Sequence, residues 1–174
     1  MKKFLQYSGI ISAVLALVGF ILLIACNGVV FKGYESYTYY NAGATLFGSG
    51  KFSIGDSNGV IVSNFNGQPS GAALVAWIFS LVALLALICG VVLPLLKVKL
   101  SAKVFGIVNL CAVVLLVTAG IVVFFTVPSF KGNNGLSSED LALGAGYVIA
   151  GILYIVGGAV AICPAVVDFI SKKR

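Results

Sequence analysis

The chain contains no histidine, and only five of its 174 residues are acidic. Without histidine, the commonest general base, the Ser/His and Cys/His nucleophile arrangements and most zinc sites are excluded. The one adjacent acidic pair in the sequence, Glu139-Asp140, falls at the start of a predicted helix, where carboxylates stabilise the positive end of the helix dipole. We therefore predict that the protein is not an enzyme and binds no cofactor or metal.

Cysteine is also scarce, with four residues at Cys26, Cys89, Cys111 and Cys163. All four lie within or at the ends of long apolar segments, so no disulfide can hold the loops between those segments. Three of them could share a depth in a helical bundle and bind a metal, but thiolates need a compensating charge that such an interior lacks. We interpret them as small packing residues.

Cys26 has a second interpretation, because it ends a Leu-Ile-Ala-Cys run that follows Lys2, Lys3 and an apolar stretch. This order resembles the signal peptide and lipobox of a bacterial lipoprotein, in which Cys26 would carry a lipid. The apolar stretch is longer than the roughly 7–15 residues of a signal peptide core. It favours an uncleaved first helix, and lipidation of Cys26 stays an open alternative.

Charged residues make up only 9% of the chain, hydrophobic residues make up 60%, and the mean hydropathy is +1.13, which is outside the range of soluble domains. Four segments contain no charged residue: 9–30, 72–96, 104–127 and 141–167. Each reaches the roughly 20 residues that a helix needs to cross hydrocarbon. The sequence therefore predicts an all-α transmembrane fold. We expect one four-span domain over residues 1–174, an antiparallel four-helix bundle with helices at about 5–30, 71–96, 102–127 and 140–170.

Basic residues are distributed unevenly around these segments. The side with both termini has eight: Lys2, Lys3, Lys97, Lys99, Lys103, Lys172, Lys173 and Arg174. The other side has three: Lys32, Lys51 and Lys131. The positive-inside rule then places both termini in the cytoplasm. Because ten of the eleven basic residues are lysine and no Asn-x-Ser/Thr acceptor occurs, we predict a bacterial plasma membrane. The basic clusters border membrane ends, so topology and anionic headgroups explain them better than nucleic-acid binding.

Residues 31–70, which we call the strand region, form the only long loop between the apolar segments. Aromatic and β-branched residues concentrate at 35–40, 44–47, 51–54 and 60–65, with Gly-, Asn- and Ser-rich turns between them. Asn58-Gly59 is typical of a tight hairpin turn. We predict an extracellular β subdomain, a small antiparallel sheet inserted between helices one and two.

Small residues recur every seven positions on two of the predicted helices. The fourth helix has Gly144, Gly151 and Gly158, and the second has Ala76, Ala83 and Gly90. In lipid, such seams allow another backbone to approach closely. We predict that they face inward in the bundle, with a homo-oligomer interface as the alternative.

Few polar residues stand out. Asn109, inside the third apolar segment, is a candidate intramembrane site, although an isolated amide more often bonds to a neighbouring helix. Asp168 is a second candidate and lies four residues before Lys172, a spacing typical of an ion pair. In the strand region a tyrosine cluster offers rigid contact area outside the membrane, unless the rings only pack the sheet onto the helices. It consists of Tyr34, Tyr37, Tyr39 and Tyr40.

Four spans with inside termini, a long strand-rich first outside loop and a shorter second one resemble the claudin and peripheral-myelin-protein tetraspan architecture. The resemblance is one of layout: the strand region has neither the tryptophan motif nor the cysteine pair of the claudin first loop. It implies a non-catalytic protein that acts through lateral or extracellular contacts.

We therefore predict a tetraspan protein that acts through protein–protein contacts, as a structural or adhesive element or as an accessory subunit of a membrane complex. Its expected partners are the lipid bilayer and another membrane or extracellular protein, a second copy of itself included. The alternative is a small transporter or channel component, which a polar cavity at Asn109 or a pore on an oligomer axis would favour.

Overall fold

A computed structural model describes residues 2–35, 38–56, 59–95, 102–135 and 141–170 of the protein. Along the chain the elements are α1 Lys2–Ala25, β1 Val29–Glu35, β2 Thr38–Ala44, β3 Ser49–Asp56, β4 Gly59–Asn66, α2 Gly71–Leu95, α3 Ala102–Val123, α4 Thr126–Asn134, β5 Leu141–Leu143 and α5 Ala145–Ile170. The fold is mostly helical, with four long apolar helices and one small antiparallel sheet.

The four long helices α1, α2, α3 and α5 are each long and apolar enough to cross a membrane. α5 packs against both α1 and α3, and α2 packs against both α3 and α1. Buried residues of these helices form one hydrophobic core. Alanine is the commonest residue in that core, and it includes the fully buried Ala16, Ala76, Ala83, Ala112 and Ala119. Small side chains at these positions let the helices approach closely.

The sheet has five strands in the order β4-β3-β2-β1-β5. β1 to β4 follow one another as antiparallel neighbours, and β5 pairs antiparallel with β1 from the other side. Because β5 directly precedes α5, this pairing brings the start of α5 beside the end of α1. β1 follows α1 and β5 precedes α5, so the sheet is attached to the ends of both helices.

The first helix ends at Ala25, several residues before the sequence pattern predicted. The apolar run continues through Val29 and Val30, but these residues belong to β1, where they pair with β2 and with β5. The amide of Gly28 donates to the carbonyl of Ala44 over 2.8 Å and starts this pairing. Apolar composition alone does not separate a helix end from a buried strand, whereas the pairing partners do.

The connection between α3 and α5 also differs from the predicted loop. It contains the helix α4, which ends at Asn134 and is capped by Gly135 in the left-handed conformation (φ 63°). It then contains β5, and α5 begins only at Ala145. Glu139 and Asp140, predicted at the start of this helix, lie outside the described residues.

The β3–β4 hairpin pairs Lys51 with Asn64 and Ile54 with Ile61, which is the pairing expected from the sequence. The two residues that close it, 57 and 58, lie outside the described residues. Gly59 follows with φ 145° and pairs with Asp56, so the glycine supplies the positive φ angle at the first position of β4.

Candidate interaction surfaces

Among the described side chains of the sheet, those of the edge strand β4 form an exposed apolar segment. Val60, Ile61 and Val62 are 70%, 72% and 61% exposed. β4 lies at the end of the strand order, so one side of its backbone has no neighbour in the described sheet. Exposed apolar side chains beside unpaired N–H and C=O groups make an edge that a further strand can join.

The other end of the hairpin is covered. Phe65 packs with Val29, Ala44 and Phe130 in a small second core between the sheet and α4. Among the described residues, Phe65 is the β4 residue in this core, and the β4 residues from Gly59 to Asn64 are exposed. Val60, Ile61 and Val62 therefore lie outside this core.

A set of side-chain hydrogen bonds fixes the root of the hairpin to α4. The Asn134 amide accepts from the Gln68 N–H at 2.7 Å and donates to the Gln68 carbonyl at 3.0 Å and to the Phe130 carbonyl at 2.9 Å. Asn133 adds a bond of 2.8 Å to the Pro69 carbonyl. These contacts hold the segment that leads from β4 into α2.

The sequence contains one sign of the exposed β4 surface, a run of apolar residues that does not alternate with polar ones. A half-buried strand alternates apolar and polar residues, whereas Val60, Ile61 and Val62 are apolar in succession. Such a run is either buried on both faces or exposed on both. What packs on the two faces of the strand decides which.

The predicted tyrosine contact residues are distributed over two strands. Tyr34 on β1 pairs with Tyr39 on β2, and Tyr40 pairs with Gly33 and Ile54. Tyr37 lies outside the described residues. The described part of the tyrosine cluster is thus divided between β1 and β2.

Two glycines of the predicted α5 seam lie against α3. A Cβ at Gly151 would lie 3.2 Å from the Gly120 carbonyl oxygen, and a Cβ at Gly120 would lie 2.9 Å from the Gly151 carbonyl oxygen. A Cβ at Gly158 would lie 2.6 Å from Val117 Cγ2. The backbones of α3 and α5 therefore meet at these positions, within one chain. Sequence analysis missed Gly120, whose signal is its place in a Thr-Ala-Gly run of small residues.

Gly144, the first member of the same series, has another environment. It precedes α5, and its amide donates to the Gly28 carbonyl over 3.0 Å. A Cβ there would collide with the Asn27 carbonyl. It thus joins the start of α5 to the α1–β1 connection and makes no helix–helix seam.

The small residues predicted to form a seam on α2 lie in two different environments. Ala76 and Ala83 are fully buried in the helical core. Gly90 lies against α3, where a Cβ would be 2.7 Å from Asn109 Oδ1. The structure thus brings two predicted site residues, Gly90 and Asn109, together at a helix contact.

Buried hydroxyl groups connect the helices through backbone carbonyls. Ser12 of α1 donates to the Gly157 carbonyl of α5 at 2.7 Å, and Tyr147 of α5 donates to the Leu23 carbonyl of α1 at 3.0 Å. Both side chains are fully buried. Interhelical bonds of this kind stabilise packing in an apolar surrounding.

Tyr154 is also fully buried, and its hydroxyl has no hydrogen-bond partner among the described residues. Ser80 is the neighbouring polar group. Its hydroxyl donates to the Trp77 carbonyl over 2.8 Å, and its oxygen can still accept a hydrogen bond. The Trp77 ring stacks on Phe20 with centroids 5.9 Å apart and meets Phe47 edge-on at 6.3 Å. These rings join α1 and α2 to the turn that follows β2.

The remaining predicted positions are separate from these contacts. Asp168 lies on α5, near the last described residue. Cys26 packs against Gly146 of α5, while Cys89 and Cys111 are exposed on α2 and α3. Within the described residues, no group of three or more histidine, cysteine or acidic side chains is placed to bind a metal.

No protein-family model matches the chain, and no curated protein matches its sequence. The likeness to tetraspan proteins thus consists of the layout itself, four apolar helices with a small antiparallel sheet between the first two and a fifth strand before the last.

Proposed function

We propose that this chain is a four-span integral membrane protein that acts without catalysis, through protein contacts made by its sheet. In this role it is a structural or adhesive element, or an accessory subunit of a membrane complex. The partner is another membrane or extracellular protein, or a second copy of the chain.

The outward faces of the long helices support insertion into a membrane. On α1, the exposed side chains include Ile10, Val14 and Ile21, at 40%, 52% and 52%. The fully buried core of the same helix, around Ala16 and Leu23, is equally apolar. A helix that is apolar on every face is typical of a hydrocarbon surrounding, because water would favour a polar outer face.

The distribution of charge supports an orientation with both termini in the cytoplasm. The side with the termini has eight basic residues, and the side with the sheet has three. Trp77 and Phe47 meet where α2 approaches the sheet, which suits the aromatic belt of an outer membrane interface. We place the chain in a bacterial plasma membrane with the sheet outside.

The observation that carries the proposal is the exposed edge of β4. Proteins usually protect such edges with lysine, proline or a covering element. The β4 sequence GVIVSNFN contains neither a charged residue nor proline. We propose that Val60, Ile61 and Val62 form the contact, with an extended partner segment adding to the backbone edge.

The transporter alternative requires polar side chains along a water-filled path. Ser12 and Tyr147 instead bond to carbonyls of neighbouring helices. Asn109 lies in contact with Gly90 between α2 and α3. We therefore prefer the contact function.

Topology is tested first, by cysteine labelling in intact cells. A cysteine replacing the exposed Ser63 should react with a membrane-impermeant maleimide without permeabilisation, and one replacing Ser171 only after it. Labelling of Ser63→Cys that requires permeabilisation would place the sheet in the cytoplasm and contradict the proposal.

Partner contact is tested with a photoreactive amino acid at position 61, compared with one at position 14. Both positions are exposed and apolar, at 72% for Ile61 and 52% for Val14, but only the first is on the sheet. We expect a discrete protein adduct from position 61 and lipid adducts alone from position 14. Mass spectrometry then identifies the partner. Equal adducts at both positions, or no protein adduct at position 61, would refute contact through β4.

A further inference from the structure

The face of the sheet opposite α4 contains an open concave site of about 550 Å³. It lies between the start of β1 and the β3–β4 hairpin. Gly50 and Phe65 line it together with six polar residues: Asn27, Thr45, Ser49, Lys51, Asn64 and Asn66. The volume is within the roughly 300–1,000 Å³ typical of small-ligand sites. We call this the polar pocket.

Strand register brings these side chains together. Lys51 pairs with Asn64, and Ser49 pairs with Asn66, across β3 and β4. Directly paired residues point to the same face. Phe65 and Ala44, which alternate with them, pack towards Phe130 on the other face. Alternation thus brings the four polar side chains of β3 and β4 to one face, and Phe65 borders the pocket from between Asn64 and Asn66.

Asn27 completes the wall of the pocket from outside the sheet. Its side-chain amide lies directly over Gly43, where there is no room for a Cβ. Gly43 pairs with Lys51 on the neighbouring strand, so Asn27 is held on the same face as the lysine. The Thr45 hydroxyl donates to the Ser49 carbonyl at 2.9 Å and fixes the turn at the floor.

The side chains that line the polar pocket indicate which class of ligand it binds. The side-chain amides of Asn27, Asn64 and Asn66 make no hydrogen bond to another described residue, so each offers a free donor and a free acceptor. Paired donors and acceptors of this kind match the hydroxyl groups of a sugar. Lys51 is exposed, and the described lining contains no carboxylate, so the pocket has a formal charge of +1. That charge favours an anionic group on the ligand.

We propose that the polar pocket binds an acidic carbohydrate, a sugar that carries a carboxylate or a phosphate group. Lys51 pairs with the anionic group, and Asn27, Asn64 and Asn66 bond to the hydroxyls. This binding goes beyond the β4 contact, since it uses the opposite end of the hairpin and different side chains.

The test uses the full chain, purified in a detergent without a sugar headgroup, and isothermal titration calorimetry. The probes are trigalacturonate for the carboxylate, glucose 6-phosphate for the phosphate, maltotriose as the neutral sugar and inorganic phosphate as the bare anion. We expect one or both acidic sugars to bind at least about tenfold more tightly than maltotriose and inorganic phosphate, as a charge-assisted hydrogen bond predicts. The tighter of the two acidic probes identifies the anionic group.

Two lysine variants provide the matched comparison. Lys51→Gln and Lys131→Gln remove the same charge from the same side of the protein, but Lys131 is on α4 and outside the pocket. We expect Lys51→Gln to weaken binding about tenfold or more and Lys131→Gln to leave it unchanged. Asn64→Leu should weaken it as well, and Ile61→Thr should not, which separates this site from the β4 contact.

Several results would overturn the proposal. They are equal binding of maltotriose, equal binding of inorganic phosphate, an equal loss in both lysine variants, and no measurable heat with either acidic sugar. Each substitution is conservative or falls at an exposed position. Circular dichroism checks that each variant retains the wild-type fold.

Discussion

The helices and the sheet of this protein use their polar groups in opposite ways. In the long helices the backbone bonds along each helix, and the buried hydroxyls of Ser12 and Tyr147 bond to carbonyls of neighbouring helices. In the sheet, the β4 edge and the amides of Asn64 and Asn66 remain open. The helices therefore pack closely against one another, whereas the sheet has polar groups that remain available to a partner or ligand.

The largest expected effect concerns the fit between α3 and α5. Gly151→Leu should lower the free energy of unfolding by about 2–3 kcal/mol, because the new side chain must separate two backbones that now touch. Unfolding in mixed detergent micelles, followed by circular dichroism, measures the change. Ile152→Leu is the control, since Ile152 is 50% exposed and should tolerate the swap. Equal stability of the two variants would mean that the seam does not require a glycine.

The next effect concerns the attachment of the sheet. Asn134→Ala removes three hydrogen bonds to Gln68 and Phe130 and should cost about 1–2 kcal/mol. Hydrogen exchange of the segment from Gly67 to Ser70 should speed up, while exchange within α5 should not. Asn133→Ala removes a single exposed bond and should have a smaller effect. If both variants exchange alike, the Asn134 amide does not hold this connection.

A smaller effect on stability is expected at two buried tyrosine hydroxyls, one with a hydrogen-bond partner and one without. Tyr147→Phe loses the bond to the Leu23 carbonyl and should destabilise the fold by about 0.6 kcal/mol. Tyr154→Phe removes a hydroxyl without a hydrogen-bond partner and should be neutral or stabilising. Matched thermal unfolding of the two variants gives the difference. The reverse order would show that the Tyr154 hydroxyl has a partner that the described residues do not contain.

The smallest effect on stability is expected at the sheet edge. Val62→Thr keeps a β-branched side chain at a position that is 61% exposed, so unfolding should change by less than about 0.5 kcal/mol. The same variant should reduce the yield of the cross-linked adduct from position 61. A loss of stability without a loss of adduct would assign this residue to folding instead of contact.

Several features could be predicted from the sequence because they depend on local composition. Hydrocarbon selects long uncharged segments whatever their neighbours are, so the four long helices were foreseeable. The β3–β4 hairpin was foreseeable as well, because Gly59 supports a tight turn between two β-rich segments. The spacing of small residues in α5 indicated that α5 contacts another helix, but not that this helix is α3.

What only the tertiary structure decided depends on partners that are distant in the chain. Val29 and Val30 belong to a strand because β2 and β5 pair with them, although the same residues would suit the end of a helix. Val60, Ile61 and Val62 are exposed on the edge strand β4 and lie outside the core between the sheet and α4. Partition into an apolar medium is a property of each segment, whereas pairing and cover are properties of the assembled fold. The surfaces proposed for binding arise from the second kind of property.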